Sequence, residues 1–211
     1  MLNTQNIIFI HGPAGRLQTI YIAAQGEAKG VAVINHPNPL QGGTFINKVI
    51  QTAAKALSSL GFHCYLPNLR GVGESEGEHD FGRGETEDCL AVLRFAQTQH
   101  PDVSKHVLAG FSFGGYVALF AAEKSQPDAL LLLGPAVGVY QPDAPLSFNP
   151  KRTLLIHGET DKVVPLQNSL DWANKQIMPI VVVPQTGHFF HGKLIVLREW
   201  IEKCLPGIIG I

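Results

Sequence analysis

Disulfide chemistry is the first thing this sequence excludes. Its three cysteines, Cys64, Cys89 and Cys204, are odd in number and none belongs to a CxxC pair, so neither a disulfide framework nor a thiolate zinc site is expected. They read as reduced thiols of a cytoplasmic protein. Charge of one sign is also missing: 16 Lys and Arg stand against 17 Asp and Glu, for a formal net charge of −1, and no Lys/Arg run occurs. That balance argues against a nucleic-acid footprint and against a basic membrane-surface patch. No apolar run is long enough to cross a bilayer. The opening Met1-Leu2-Asn3-Thr4-Gln5-Asn6 has no basic segment, and Ile7 to Ile10 is far too short for a signal sequence. Internal repeats and low-complexity linkers are absent too. What remains is a chain of 211 residues with 45% hydrophobic content, enough for one compact domain over residues 1–211 that buries its own core. A small ligand of little charge suits it.

Short β-branched runs alternate with longer amphipathic stretches, which is the pattern of a mostly parallel sheet covered by helices on both faces, an α/β fold. Ile7 to Ile10 and Thr19 to Ala24 flank His11-Gly12-Pro13-Ala14-Gly15, a Gly/Pro turn joining two antiparallel entry strands. Strands are expected at Val31 to Ile34, Phe62 to Leu66, Ala129 to Leu133, Thr153 to Ile156 and Ile180 to Val183. The patterns predict helices over Phe45 to Leu60, Thr86 to Gln99, Pro165 to Lys175 and Phe190 to Lys203, with another following Gly110-Phe111-Ser112-Phe113-Gly114-Gly115.

That last hexapeptide carries the most information. It follows the apolar run His106-Val107-Leu108-Ala109 and leads into Tyr116 to Ala122, so a strand turns sharply into a helix at Ser112. Such an elbow lifts a hydroxyl clear of the sheet beside the free N–H groups of the helix's first turn. Glycines two residues either side let strand and helix approach where a Cβ would collide. Two later strands end in titratable residues: Thr153 to Ile156 runs on to Asp161, and Ile180 to Val183 runs on to His188. Parallel strands share one carboxyl edge, so Ser112, Asp161 and His188 converge there despite their separation in sequence.

These features resemble the α/β-hydrolase fold family over nearly the whole chain. The likeness is narrower with small bacterial α/β-hydrolases, through Gly12-Pro13-Ala14-Gly15-Arg16-Leu17, His36-Pro37-Asn38-Pro39 with Gly42-Gly43-Thr44, Asn47-Lys48-Val49, Arg70-Gly71-Val72-Gly73-Glu74-Ser75 and the elbow. The resemblance implies a nucleophile at Ser112, a general base at His188 and an orienting acid at Asp161, in the family's order Ser, Asp, His. Imidazole titrates near working pH and takes the hydroxyl proton, while the acid fixes its tautomer. Asp143, in a Pro-rich loop, and Asp171, inside a helical pattern, are rival acids that follow no strand. A helix N-cap is the alternative role of Asp161. His191 is the rival base, expected within the last helix; its pairing with His188 lacks the further ligands a metal needs. His157 reads as a wall of the site or a satisfied core residue.

An oxyanion hole in this family takes two backbone donors, one following the nucleophile and one from the loop after the strand Val31 to Ile34. Phe113 supplies the first. Of Pro37, Asn38 and Pro39 only Asn38 has an N–H, so the second is assigned to Asn38. The Arg70 to Gly77 loop lacks the ending of a P-loop and is expected at the active edge, with Asp80 to Glu85 shaping the rim and capping the next helix. Phe111, Phe113, Phe189 and Phe190 favour an apolar acyl or aromatic group, or else pack the core. Gly138 to Arg152 is too short and Pro-rich for a cap domain, so the site is expected open. The implied activity is a serine esterase without cofactor or metal, acting on a small-molecule ester. Thioester, lactone or small-peptide hydrolysis uses the same triad, and a silent binding protein shares the fold. The C-terminal Ile208-Ile209-Gly210-Ile211 is compatible with a homodimer interface.

Overall fold

The computed structural model describes residues 6–140 and 147–211, and the rival acid Asp143 lies outside them. β1 (Ile7–Gly12) and β2 (Gly15–Ile22) form an antiparallel hairpin whose register closes at Gly12 opposite Gly15, leaving Pro13-Ala14 as the turn. β3 (Gly30–Asn35), β4 (Phe62–Pro67), β5 (Lys105–Phe111), β6 (Ala129–Leu133), β7 (Thr153–Gly158) and β8 (Val181–Val183) are mutually parallel, and β2 pairs antiparallel with β4. The order across the sheet is β1-β2-β4-β3-β5-β6-β7-β8. The apolar runs of β3, β6 and β7 are buried throughout, as strands covered on both faces must be.

Among the described residues five α-helices cover the sheet. α1 (Lys48–Ser59) and α5 (Leu194–Ile209) pack with one face, where Val49, Ile50, Ala53, Leu57, Leu197, Ile201 and Leu205 join Ala32, Val107 and Leu131. α2 (Arg83–Gln99), α3 (Phe113–Ser125) and α4 (Leu166–Gln176) contribute to the opposite core, with Val33, Leu108 and Leu132. α1 begins at Lys48 rather than Phe45 because the Asn47 side chain accepts the Val49 N–H, while the Phe45 N–H is taken by Asn68 Oδ1. α2 begins three residues ahead of Thr86 because the Glu85 carboxylate receives the N–H groups of Asp80 and Gly82. Cys64 and Cys89 are buried, and burial pushes the Cys89 thiol up to about 12.

In the C-terminal apolar run Ile209 is core and Ile208 packs against it, while Ile211 is exposed. Among the described residues no cap domain follows β6. The described part of the β6–β7 connection holds only a 3-10 turn at Pro150–Arg152. Among the described residues no helix is long and apolar enough to cross a membrane.

The strand order fixes where a site belongs. From β3 the chain crosses to β4 on one side and then returns to β5 on the other. The loops leaving β3 and β5 therefore diverge, opening a crevice at their carboxyl ends.

Candidate active site

Ser112 sits between β5 and α3 with φ 54° and ψ −120°, a conformation that costs a non-glycine residue on the order of 1–3 kcal/mol. The packing around it leaves no alternative. A methyl group on Gly110 would overlap the Gly114 carbonyl, and one on Gly114 would overlap the Asn35 carbonyl at the end of β3. The Ser112 backbone is fully engaged: its N–H donates to the Leu133 carbonyl (3.0 Å), and its carbonyl accepts from Gly115 (3.0 Å) and Ala136 (3.1 Å). Phe113 and Gly114 fall in the first turn of α3, where no intrahelical acceptor exists for their N–H groups.

The β3 loop faces the elbow. His36 is fully buried; its Nδ1 donates to the Pro37 carbonyl at 2.7 Å and its Nε2 accepts from the Leu69 N–H at 3.0 Å. These two partners require the neutral ring, and burial lowers its pKa from 6.5 to about 4. Because the Pro37–Asn38 peptide is trans, holding the Pro37 carbonyl against His36 turns the Asn38 N–H the opposite way. The Asn38 side chain is fastened at both ends, accepting from the Leu40 N–H and donating to Tyr140 Oη, each at 2.8 Å. The loop is thus locked from within by His36 and from the β6–β7 side by Tyr140.

Asp161, on the loop after β7, and His188, on the loop after β8, meet at 2.6 Å between Oδ2 and Nδ1. The other oxygen of Asp161 accepts from the Val163 and Val164 N–H groups, both at 2.8 Å. The turn-capping role and the contact with His188 therefore coexist on one carboxylate. Burial works against this charge, yet hydrogen bonds from His157, His188 and the Val164 N–H outweigh it and hold the carboxyl below the usual range. The His188 ring lies 4.7 Å from Phe111 and 5.1 Å from Phe189 between centroids. Gly134, next to the Leu133 that receives Ser112, passes beneath the pair: a Cβ there would stand 3.6 Å from both Asp161 Oδ2 and His188 Nδ1. Asp161 and His188 are in contact, and Ser112 is anchored to the same β6 end without a hydrogen bond to His188.

The rivals lie elsewhere. Asp171 is exposed on α4 and accepts from Gln167 at 2.7 Å. His191 is exposed in the turn ahead of α5 instead of inside it, because Phe190 (φ 52°) and Gly192 (φ 70°) break the backbone before Leu194. Of the four phenylalanines near the site only Phe189 is exposed; Phe111, Phe113 and Phe190 are core. Other exposed apolar side chains on loops after strand carboxyl ends are Leu40 and Ile46 after β3, Phe81 after β4, Val139 after β6 and Val163 after β7. The Arg70 loop serves as scaffold. The Arg70 guanidinium grips buried Asp88 at 2.9 and 2.7 Å, and Ser75 and Asn68 bond back to Gln18 on β2.

A family model described as the alpha/beta hydrolase fold matches residues 6–145. The chain belongs to the α/β hydrolase family. A serine hydrolase of that fold from Xanthomonas campestris, described as lacking a lid, superposes with a TM-score of 0.88 at 33% identity, covering 100% of this chain and 96% of its own. A serine hydrolase homologue from Coxiella burnetii gives 0.84 at 37% identity, covering 97% of this chain and 99% of its own. An uncharacterized protein of Rickettsia prowazekii is 31% identical over 171 residues, 80% of this chain and 72% of the relative. In keeping with the Xanthomonas protein, this α/β hydrolase has no cap among its described residues.

The His36 geometry makes a prediction about stability. A histidine whose folded pKa is depressed is neutral in the fold and charged in the unfolded chain, so stability is lost as pH falls from about 6.5 towards 4. The difference amounts to about 3 kcal/mol. Urea unfolding at pH 7.5 and 4.5 should show this drop in the native protein. In His36→Gln, less stable at pH 7.5, the drop should be distinctly smaller.

Proposed function

We propose that the protein is a serine esterase that cleaves small apolar carboxylic esters through an acyl-enzyme. The observation that carries this reading is the forced backbone of Ser112 (φ 54°) at the crevice, beside an Asp161–His188 pair at 2.6 Å on neighbouring loops. A serine hydroxyl is inert until a base removes its proton. His188 Nδ1 is held by Asp161, which leaves Nε2 unprotonated and available to that hydroxyl. In apo sites the base–nucleophile hydrogen bond is often long and tightens only with substrate bound.

In the proposed reaction Ser112 Oγ attacks the ester carbonyl carbon while His188 Nε2 takes its proton. The carbonyl oxygen becomes an oxyanion received by the N–H groups of Phe113 and Asn38. Collapse breaks the C–O bond to the alcohol, which leaves with the proton from His188. Water then attacks the acyl-enzyme with His188 as base, releasing the acid and restoring Ser112. The absence of a cap gives bulk water access for this second half. The exposed Leu40, Phe81, Val163 and Phe189 lie on separate loops of the catalytic edge and suit an apolar acyl or aryl group.

Fluorophosphonate labelling read by intact mass should give a single adduct that Ser112→Ala abolishes, with ester hydrolysis down roughly 10⁴-fold. His188→Ala should be similarly damaging and His191→Ala mild; the reverse ranking reassigns the base. Wild type that is folded yet unlabelled favours a binding protein on the same fold. Across p-nitrophenyl esters, kcat/KM should rise from acetate to octanoate. Phe81→Ser should reduce that gain several-fold while sparing acetate, on the scale of ~1 kcal/mol for a partly covered pair of methylenes.

A further inference from the structure

Resting on the triad reading above, we propose that His157 and Ser169 are positioning residues that act on His188 through Asp161 and set the pH at which the base becomes active. His157 is fully buried at the end of β7, and its Nε2 lies 2.9 Å from the Val164 carbonyl and 3.3 Å from Asp161 Oδ2. Its Nδ1 lies 2.9 Å from Ser169 Oγ, on the first turns of α4 and also fully buried.

The donor–acceptor logic fixes the protons. A carbonyl only accepts, so Nε2 of His157 carries hydrogen and points between the Val164 carbonyl and the Asp161 carboxylate. Nδ1 is then the acceptor, and the Ser169 hydroxyl donates to it. Were His157 doubly protonated, Ser169 would have to accept, and its own buried hydrogen would have no partner among the hydrogen bonds at this position. Ser169 therefore selects the neutral Nε2–H tautomer, the one that reaches Asp161.

The consequence lies in which oxygen receives it. Asp161 Oδ1 is already held by two backbone N–H groups, so the carboxylate is located without His157. Oδ2 is shared between His188 at 2.6 Å and His157 at 3.3 Å. The second donor draws on the same oxygen that steadies the imidazolium of His188, and so weakens that stabilisation. Among the described titratable groups, Asp161 makes ion-pair contact only with these two histidines. Glu159, Lys162 and His191 on the same loops are exposed, and Glu159 is engaged by the Gln185 N–H. Phe111 and Phe189 cover the His188 ring.

Removing the donor strengthens the Asp161–His188⁺ pair, so the base stays protonated to higher pH. The test is the pH dependence of the fluorophosphonate labelling rate and of kcat/KM in His157→Phe, His157→Gln and Ser169→Ala, with folding followed by circular dichroism. The acid limb should move up by roughly 0.5–1 pH in His157→Phe and less in Ser169→Ala, with kcat reduced more than KM is changed. His157→Gln, whose amide can still donate, should return the limb towards wild type. A folded His157→Phe or Ser169→Ala with the limb unchanged or moved down overturns the proposal, and Ser169→Ala keeps that test available if His157→Phe does not fold. A wild type that is not labelled at Ser112 would sink the triad reading itself, a separate outcome.

Discussion

Three backbones meet at the Ser112 elbow, and the rest of the site depends on how closely they approach. β5 enters, α3 leaves, and the end of β3 passes beneath, with glycine at both contact points because a methyl group would overlap a carbonyl oxygen. That closeness holds Ser112 in a strained conformation, and the strain is sustained by hydrogen bonds that bind its N–H and carbonyl to the β6 end. The same packing brings the β3 loop against the first turn of α3. Tyr140 ties the two sides together, its hydroxyl receiving the Asn38 side-chain amide at 2.8 Å and its ring lying 5.5 Å from that of Phe113.

Around this point the sheet topology does the sorting. The crevice opens where the chain leaves β3 for β4 and returns to β5, so the elbow and the β3 loop flank it, and the loops after β7 and β8 bring an acid and a histidine to the same edge. Support for each group comes from buried histidines that are themselves fully bonded. His36 turns a peptide plane, and His157 meets a carboxylate oxygen. Between them they connect α4 and the β4 loop to the crevice.

Much of this was legible in the sequence because the constraints are local. The elbow is written in two glycines around a serine; Asp161 follows the apolar run of the buried strand β7, and His188 follows the apolar run of the edge strand β8. The hairpin and the antiparallel entry follow from one Gly/Pro turn. The roles of His36 and His157 were not legible, since each is defined by partners that the fold delivers: Leu69 for the first and Ser169 for the second. A histidine next to a proline or glycine carries no sign of which atom will meet it. His191 was misplaced because apolar spacing from Phe190 to Lys203 reads as helix, whereas the positive φ values at Phe190 and Gly192 delay the start to Leu194. The phenylalanines stayed open between wall and core in the sequence, since an aromatic beside a catalytic candidate serves as readily in either place, and burial assigns Phe111, Phe113 and Phe190 to the core.

On the proposed reaction Ser112, with the N–H groups of Phe113 and Asn38, forms one preorganised acyl-transfer site. A crystal structure of the phosphonylated protein tests it most directly. Phosphorus should lie on Ser112 Oγ, with the phosphonyl oxygen about 2.7–3.1 Å from both backbone nitrogens and the His188 ring facing the adduct. Phosphorus on another residue, or an oxygen turned to solvent away from Asn38 and Phe113, would contradict it.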